Sequence, residues 1–370
     1  MILTYKYRIK DRSARKALRQ HARACNQVWN WCVAQQRDTE ARYRAGGPPR
    51  KWATHFDLVK SCKGVGSDLG LHQQSVGSVC EHFVRSREKM KRSPRFRASS
   101  GSKRALGWVP FYKQSRQIDD NSITYLGKRY RFWEGRRPLP EGAKGGSFVE
   151  DALGRWYVCF HIEVADDRPA GDAEIGIDLG LKAMATCSDG HVIEPPRFYR
   201  RHEQRLALAQ RAGNRRRTKA IHAKIKNCRR DFTHKTTAAL VRENALIAVG
   251  NVGAAKLART RMAKSVFDAG WSMFRSQLRY KCQQARSAYL DIDERFTTQA
   301  CSCCGTIPAS SPKGMGALGI RAWECSGCGT SHDRDVNAAR NILALALSAQ
   351  RRGDESGPAA ADTRGSGCVC

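Results

Sequence analysis

The sequence predicts a chain that combines an all-β part and a helical part with a later α/β domain. Apolar residues recur at helical spacing between residues 13 and 93, which indicates helices packed through one face. They alternate with polar residues over much of 96–165, the period of two that is typical of strands. From residue 172 onward, short apolar strands alternate with helical stretches, as in an α/β sheet.

The first 93 residues are expected to form one strand followed by helices. Residues 2–9 alternate like a strand. The helical spacing is carried by Leu18, Ala22, Cys25, Trp29, Cys32 and Gln36 and, further on, by Val76, Val79, Cys80, Phe83 and Val84. The segment AGGPPRKW between them predicts a loop. We therefore expect residues 13–93 to be a helical domain inserted after the first strand.

Residues 94–168, together with 1–12, predict a small antiparallel β-domain. The alternation is clearest over GRWYVCFHIEV, and SITYLG and RYRFWE are also strand-like. Tyr130, Phe132 and Trp133 are expected in the core or on the surface of this domain, with stacking on nucleic-acid bases as the alternative. The segment DDRPAGD predicts a linker to the rest of the chain.

The part after the linker has the element order of the RNase H-like fold. Three short strands, EIGIDLG, KAMATCS and HVIE, precede a long basic helix, the apolar strand ALIAV, a further helix and the strand YLDID. The predicted domain covers 172–298 and 333–349, because a last apolar helix stripe follows residue 335. The final residues, 350–370, have the composition of a disordered tail.

The charge balance indicates a polyanion as partner. The chain has 66 Lys plus Arg against 34 Asp plus Glu, a formal net charge of +32 over 370 residues. These basic residues are spread along the chain, which disfavours a membrane surface, and the lack of a long apolar run predicts a cytoplasmic protein. On the long basic helix we expect nucleic-acid contacts, with a solvated face as the alternative. The residues concerned are Arg215, Arg216, Arg217, Arg229 and Arg230.

Four of the fifteen cysteines are organised as two C-x-x-C pairs. The pairs are twenty residues apart and consist of Cys301, Cys304, Cys325 and Cys328. This spacing predicts a zinc ribbon over residues 299–332, with Cys303 as an alternative ligand. Four thiolates fill the tetrahedral coordination of Zn²⁺, so the ion would be structural and not catalytic.

Two aspartates have the setting of a metal-dependent nuclease site. Asp178 ends a buried strand, at the carboxyl edge where α/β sheets place their chemistry. Asp335 precedes an apolar helix stripe, where the alternative role is that of a helix N-cap. Carboxylates that meet in space can hold Mg²⁺ or Mn²⁺ and promote phosphodiester hydrolysis. A third carboxylate is expected to complete such a set.

These residues resemble the TnpB family and its relatives, the compact type V CRISPR effectors. The matching stretches are IGIDLGLKAMAT, RRDFTHK, AKSVFDAGWSMFRSQLRYK, FTTQACSCCG and ECSGCGTSHDRDVNAARNIL, with PRFR and GRWYVCFHIEV upstream. They extend over residues 94–345, and the last of them is highly specific. The N-terminal helices match the family only loosely.

The resemblance implies a helical recognition domain inserted in a wedge-like β-barrel, followed by a RuvC nuclease domain interrupted by the zinc ribbon. It also implies a guide RNA made from the end of the element. The guide would pair with a double-stranded DNA target beside a short target-adjacent motif, and the RuvC site would cut both strands. Asp178 and Asp335 match the first and third RuvC carboxylates.

The second RuvC carboxylate is missing from its usual place. The family has a Glu at the end of the strand that corresponds to ALIAV, where this chain has Gly250. If YLDID pairs in parallel with ALIAV, Glu294 comes to the same edge and could reach across one strand spacing of about 4.8 Å. Some branches of the family look similar. The alternative for Glu294 is a solvated loop acid beside Arg295, and Asp291 and Asp293 are weaker candidates.

The leading hypothesis is an RNA-guided, Mg²⁺-dependent DNA endonuclease that uses Asp178, Glu294 and Asp335. The competing hypothesis, supported by Gly250, is a nuclease-dead RNA-guided DNA-binding protein that represses transcription. Against it, acids clustered near a polyanion are tolerable only with metal. A transposase that joins DNA ends ranks third, because the inserted ribbon and the β-domain match the guided family. Either guided protein would work in the prokaryotic cytoplasm, at the nucleoid when bound to DNA.

Overall fold

The computed structural model describes residues 2–48, 51–90, 93–112, 116–119, 121–134, 138–139, 141–143, 145–164, 171–253, 257 and 259–353. They belong to two compact units, Met1–Val164 and Ala165–Gly367. The predicted linker lies largely outside the described residues, as does the predicted tail from residue 354 onward. No helix in the described part of the chain is long and apolar enough to span a bilayer.

Four helices form the helical part of the first unit. They are α1 (Ala14–Arg44), α2 (His55–Ser61), α3 (Val65–Asp68) and α4 (Gln73–Met90). The apolar residues at helical spacing give α1 and α4 one buried face each. A capping box begins α2, because the Thr54 hydroxyl accepts from Asp57 N and the Asp57 carboxylate accepts from Thr54 N.

Seven antiparallel strands form the sheet of the first unit. They are β1 (Ile2–Ile9), β2 (Trp108–Tyr112), β3 (Arg116–Asp119), β4 (Ser122–Tyr125), β5 (Lys128–Trp133), β6 (Gly145–Glu150) and β7 (Trp156–Glu163). Their order is β2-β6-β7-β1-β5-β4-β3, so β2 and β3 are the edges. Among the described residues these pairings form an open sheet, where the resemblance implies a barrel.

The helices and the sheet of the first unit share one hydrophobic core. Trp29 of α1 and Phe83 of α4 belong to the same buried cluster as Phe111, Phe148 and Phe160 of the sheet. The alternation along each strand places these rings on the face that the helices cover. The helices pack both on one another and on the sheet, so the helical segment and the sheet are stabilised by the same core.

The second unit is built on a mixed five-stranded sheet. Its strands are β8 (Ala173–Asp178), β9 (Ala185–Cys187), β10 (Val192–Ile193), β11 (Asn244–Gly250) and β12 (Ala288–Ile292), in the order β10-β9-β8-β11-β12. β8, β11 and β12 are parallel neighbours, which confirms the predicted pairing of YLDID with ALIAV. Their carboxyl ends therefore meet at one edge of the sheet.

Helices cover both faces of this sheet. They are α5 (Phe198–Arg211), α6 (Arg215–Glu243), α7 (Ala263–Ala269), α8 (Trp271–Ala285) and α9 (Arg334–Arg351). Trp271, Phe274 and Leu278 of α8 join one core cluster beneath the sheet, and Ile342 of α9 packs on Ala248 of the other face. A short hairpin, β13 (Ala322–Glu324) and β14 (Ser331–Asp333), directly precedes α9.

Candidate carboxylate site and cysteine cluster

The strand register places Asp178 and Gly250 side by side at the carboxyl edge of the sheet. Ile177 pairs with Val249, and Gly250 pairs in turn with Ile292. The chain leaves β12 at Ile292 and reaches Glu294 two residues later. Glu294 N lies 3.4 Å from Asn251 Oδ1, which ties the segment after β12 to the segment after β11.

The Glu294 side chain fills the space beside Gly250. A Cβ added to Gly250 would lie 3.3 Å from Glu294 Oε2 and 3.6 Å from Glu294 Cβ. It would also lie 3.1 Å from Ile342 Cδ1, so any larger residue at position 250 requires its neighbours to move. The carboxylate of Glu294 thus occupies the volume next to the strand end from which a glutamate is missing.

Asp335 reaches the same edge from α9. The N-cap of this helix is Asp333, whose Oδ1 accepts from Asp335 N and Val336 N at 3.0 Å each. The capping role considered for Asp335 is therefore wrong, because a neighbouring residue performs it. This leaves the Asp335 carboxylate in the first helical turn, where the positive end of the helix dipole stabilises negative charge.

A glycine allows α9 to lie directly on the strand that ends in Asp178. A Cβ at Gly176 would lie 2.1 Å from the Ala339 carbonyl oxygen and 2.8 Å from Leu343 N. Backbone atoms of a packed helix cannot yield to such a contact. Gly176 is thus required for the close approach that brings Asp335 towards Asp178.

The carboxylates of Asp335 and Glu294 lie close enough to Asp178 to affect its charge. Burial raises the pKa of Asp178 to about 7, and the nearby carboxylates of Asp335 and Glu294 contribute to that increase. Burial also raises the pKa of Glu294, with a further contribution from Asp293. The oxygen atoms of the three carboxylates do not all lie within 4.8 Å of one another. In the described part of the chain only cysteines bring three or more ligand atoms that close together.

Arg321 lies against this site and was missed in the sequence. Its Nη1 donates to Asp335 Oδ1 at 2.8 Å and to Oδ2 at 2.7 Å. Backbone pairing holds it there, because Arg334 N donates to the Arg321 carbonyl where the β13–β14 hairpin ends. A single arginine in a loop gives no periodic signal, so its contact with Asp335 could only be found in three dimensions.

The other acids near β12 have different surroundings. Asp291 is paired with Arg275 and Arg279, and it accepts a hydrogen bond from the Tyr289 hydroxyl at 2.7 Å. Asp293 is exposed, and its Oδ1 accepts from Arg295 N. The side chain of Asp291 is thus held by two arginines of α8 and by Tyr289, and Asp293 is turned towards solvent.

The four cysteines of the C-x-x-C pairs form one cluster that could hold a metal ion. Their sulfur atoms all lie within 4.8 Å of one another. The Sγ atoms of Cys301 and Cys328 are 3.6 Å apart, and those of Cys304 and Cys325 are 3.7 Å apart. Cys303 is exposed and does not belong to the cluster, so it is not needed as a ligand.

Two similar turns present these thiols. The sequence CSCCGT at 301–306 is followed by CSGCGT at 325–330. In each turn the first cysteine N donates to the threonine carbonyl, and the glycine N donates back to the cysteine carbonyl. The Thr330 hydroxyl and backbone lower the pKa of Cys328 to about 6. The pKa of Cys304 is lowered in the same way by Thr306, whereas burial raises the pKa of Cys301 to about 12. The turns thus favour the thiolate, the form of cysteine that binds metal, at the second cysteine of each pair.

His332 links the cysteine cluster to α9. It is buried, its Nε2 lies 3.0 Å from Cys301 Sγ, and its ring packs on Trp323 at 4.8 Å between centroids. The next residue, Asp333, caps α9. His332 was not among the predicted site residues, although its position directly before DRDVN is visible in the sequence.

The predicted basic contacts on α6 divide into two groups. Arg215, Arg216, Arg217 and Arg230 are exposed. Arg229 instead pairs with Asp268 at 3.1 Å, and its side chain is only 19% exposed. Arg229 therefore helps to hold α6 and α7 together, whereas the other four are accessible to a polyanion.

The aromatic residues of β5 also divide. Tyr130 and Phe132 are buried in the core, and Trp133 is 60% exposed. Lys10 Nζ lies 4.6 Å from the centroid of the Trp133 ring, and Arg8 is the cross-strand partner of Trp133. The outer face of the sheet thus places cations beside an accessible aromatic ring, a combination that suits nucleic acid.

Two family models match the chain. Residues 157–261 match the model described as "Probable transposase", and residues 271–342 match "Cas12f1-like, TNB domain". The second match includes the cysteine cluster, Glu294 and Asp335.

Similar curated proteins occur in several organisms. The chain is 39% identical over 235 residues to a "Putative RNA-guided DNA endonuclease" of Streptomyces pristinaespiralis, covering 59% of this chain and 57% of that one. It is 26% identical to InsQ of Escherichia coli K12, also named a putative RNA-guided DNA endonuclease, over 88% of both chains. It is 28% identical over 133 residues to TnpB-like protein L79 of Acanthamoeba polyphaga mimivirus, over 34% of this chain and 24% of that one.

A solved structure has a similar fold. The chain in a cryo-EM structure of a Cas12f1–sgRNA–target DNA complex superimposes with a TM-score of 0.57 at 13% identity, over 90% of this chain and 83% of that one. Together these likenesses define a protein that joins a transposase-type domain to a Cas12f1-like TNB domain. The family-model matches and the curated relatives thus support a likeness to the TnpB family.

Proposed function

We propose that this protein is an RNA-guided DNA endonuclease whose single RuvC-type site uses Asp178, Glu294 and Asp335. The observation that carries the proposal is the position of Glu294, whose Oε2 lies 3.3 Å from the Cβ position of Gly250. The glutamate that the strand end lacks is thereby replaced from the neighbouring strand. The names of the relatives from Streptomyces and Escherichia coli support the same activity.

The chemistry of the three acids suits Mg²⁺ or Mn²⁺. These ions prefer carboxylate oxygens, and a carboxylate whose pKa is raised by other carboxylates gains most from a cation. When bound, the metal would activate water and stabilise the leaving oxygen of the phosphodiester. Asp178, Glu294 and Asp335 would hold it, and Arg321 beside Asp335 would supply positive charge near the phosphate.

The cysteine cluster is proposed to be a structural zinc ribbon. Four thiols with sulfur atoms within 4.8 Å of one another suit tetrahedral Zn²⁺ and leave no coordination position for substrate. The ribbon would hold the β13–β14 hairpin, which delivers Arg321 and the start of α9 to the carboxylates.

The partners are proposed to be a guide RNA derived from the element end and double-stranded DNA beside a target-adjacent motif. A net charge of +32 supplies the attraction to phosphate. The exposed arginines Arg215, Arg216, Arg217 and Arg230 are candidate backbone contacts. Trp133 with Lys10 is a candidate position for an unpaired base.

Plasmid cleavage by the co-purified ribonucleoprotein tests the position of the glutamate. We expect Glu294→Ala to abolish cutting in Mg²⁺ and to leave target binding intact, because the side chain acts only through metal. Asp293→Ala is the matched control, since it removes an exposed acid one residue away. Normal cutting by Glu294→Ala would contradict the proposal.

A second variant separates loss of the carboxylate from damage to the fold. In Gly250→Glu/Glu294→Ala the space that Glu294 filled is free for a glutamate on β11. We expect this double variant to recover part of the cleavage that Glu294→Ala loses. If the wild-type ribonucleoprotein binds target but never nicks it in Mg²⁺ or Mn²⁺, the nuclease-dead alternative replaces the proposal.

A further inference from the structure

Two asparagines of α9 form hydrogen bonds with the segment that connects Glu294 to the cysteine cluster. Asn337 Nδ2 donates to the carbonyls of Thr297 at 3.3 Å and of Ala300 at 2.8 Å. Asn341 Nδ2 donates to the same two carbonyls, at 2.8 Å each. Residues four apart lie on one face of a helix, so the two amides converge on one turn of chain.

Asn337 also forms a hydrogen bond with the first cysteine turn. Asn337 Oδ1 accepts from Ser302 N at 2.8 Å, directly after Cys301. Asn337 is 1% exposed, and all three polar contacts of its amide are made with backbone. A carbonyl has two lone pairs, so the carbonyls of Thr297 and Ala300 are both fully used by the two asparagines.

The turn whose carbonyls accept these hydrogen bonds begins at Glu294. Thr297 N donates to the Glu294 carbonyl at 3.2 Å, and the Thr297 hydroxyl donates to it at 2.8 Å. Phe296 has a φ of 66°, a left-handed conformation that a bulky residue adopts only where its surroundings enforce it. The backbone that carries Glu294 is therefore held by α9 and not by its own preference.

We propose that Asn337 and Asn341 are positioning residues that fix the Glu294 turn and Cys301 to the helix that carries Asp335. They make the relocated carboxylate, the helix carboxylate and the first metal-binding thiol parts of one rigid assembly. The role in catalysis rests on the proposed function. The mechanical coupling of the turn to the cysteine cluster does not.

Amide chemistry explains why asparagine is needed at position 337. The site requires an NH₂ group for two carbonyls and an oxygen for one N–H. Aspartate keeps the acceptor and turns the donor into a second acceptor that faces two carbonyls, whereas leucine removes both. Loss of the amide leaves buried polar backbone groups without their partner, which allows the Glu294 turn to move.

The test compares Asn337→Asp, Asn337→Leu and Asn341→Leu with Asn244→Asp in the full-length ribonucleoprotein. Asn244 is the matched control because it is also a buried asparagine of the second unit, donating to the Leu240 carbonyl at 2.7 Å at the opposite end of β11. The measurements are the Mg²⁺ concentration for half-maximal cleavage, target binding, the thermal midpoint, and the rate at which zinc passes to a chelating dye.

We expect both Asn337 variants to raise the half-maximal Mg²⁺ concentration by about 10- to 100-fold, as removal of groups that orient metal ligands does. Asn341→Leu should have a smaller effect, because Asn337 still holds both carbonyls. Target binding should not change. Asn244→Asp should lower the thermal midpoint by a similar amount and leave the Mg²⁺ requirement unchanged. An unchanged Mg²⁺ requirement in both Asn337 variants would overturn the positioning role.

Zinc release distinguishes failure of this inference from failure of the proposed function. If Glu294→Ala still cuts, the relocated glutamate is wrong, but Asn337→Leu should nevertheless release zinc faster than Asn244→Asp, since Ser302 N loses its acceptor beside Cys301. If Glu294→Ala is inactive and Asn337→Leu matches the wild type in both Mg²⁺ requirement and zinc release, the proposed positioning role of the asparagines is wrong. The proposed function then still stands.

Discussion

Glu150 of the first unit and Asp178 of the second are carboxylates at the ends of strands in opposite surroundings. The Glu150 side chain is fully buried. It accepts from Arg104 Nη1 at 2.7 Å, from Gly107 N at 3.1 Å and from Arg19 Nη2 at 3.2 Å. Asp178 has the carboxylates of Asp335 and Glu294 as its strongest charged neighbours, and the guanidinium of Arg334 opposes them with a smaller effect.

The pKa values of the two acids differ in direction for this reason. Burial alone would raise the pKa of Glu150, but Arg104, Gly107 N and Arg19 together hold it below its usual value. For Asp178, burial and like charges act in the same direction and raise the pKa to about 7. An acid surrounded by donors stabilises the fold, whereas the acids around Asp178 repel one another more than Arg334 and Arg321 offset, so a bound cation would stabilise them further.

The largest effect is expected from removing the charge of Asp178. Asp178→Asn keeps the shape of the side chain and removes a metal ligand, so cleavage should fall by at least about 1,000-fold, or ~4 kcal/mol in activation free energy. Without Mg²⁺ the same variant should be more stable than the wild type, because a repulsive charge is gone. Cleavage assays and chemical unfolding of the Mg²⁺-free protein measure the two effects.

Glu174→Gln is the control for this prediction, because it removes an exposed acid from the same strand. It should leave both measurements unchanged. A loss of stability in Asp178→Asn would show that Asp178, like Glu150, is a structural acid.

The parts of this site that the sequence predicts are those set by local patterns. The position of Asp178 is predicted by the end of an apolar strand. The position of Glu294 is predicted by the parallel pairing of two apolar strands, which the sequence periodicity reveals. As a result of that pairing, the side chain of Glu294 lies beside Gly250. Asp335 was correctly placed near a helix start, but which of two nearby aspartates caps the helix depends on backbone angles that the sequence does not show.

The contacts that the sequence could not predict join distant segments. Arg19 and Arg104 meet Glu150 across 131 and 46 residues, and Arg321 meets Asp335 from a loop. An arginine with several possible partners has no periodicity that selects one of them. The open sheet that the described residues of the first unit form has a similar origin, since alternation fixes which face of a strand is buried and not whether the edges close.

A smaller effect is expected from Glu150, and it concerns stability alone. Glu150→Leu leaves Gly107 N without its acceptor and removes the anion that two arginines share, which should lower the free energy of unfolding of the first unit by about 3 kcal/mol. The Mg²⁺ requirement for cleavage should not change. Chemical unfolding and Mg²⁺ titration of cleavage check the two statements.

Asp119→Leu is the control, because it breaks an exposed pair in which Asp119 and Arg129 are each 61% exposed. Its effect should be about 0.5 kcal/mol or less. If Glu150→Leu is no more damaging than this, the buried acid is not the structural anchor that its contacts indicate.

The smallest effect, and the most direct measure of the difference between the two acids, is the pH dependence of stability without Mg²⁺. The pKa of Asp178 is higher in the fold than its ordinary 3.8, so the folded state binds the extra proton and stability should fall as pH rises from about 4 to 7.

The pKa of Glu150 is lower than its ordinary 4.5, so its contribution is present above pH 4.5 and is lost as pH falls below that value. Unfolding of wild type, Asp178→Asn and Glu150→Gln separates the two, across pH 4–7 for Asp178 and below pH 4.5 for Glu150. The wild type should lose about 1–2 kcal/mol relative to Asp178→Asn across pH 4–7, less than the full shift in pKa would give because solvent screens a partly exposed group. Added Mg²⁺ should remove that slope, and a slope of the same sign for both acids would refute the difference between them.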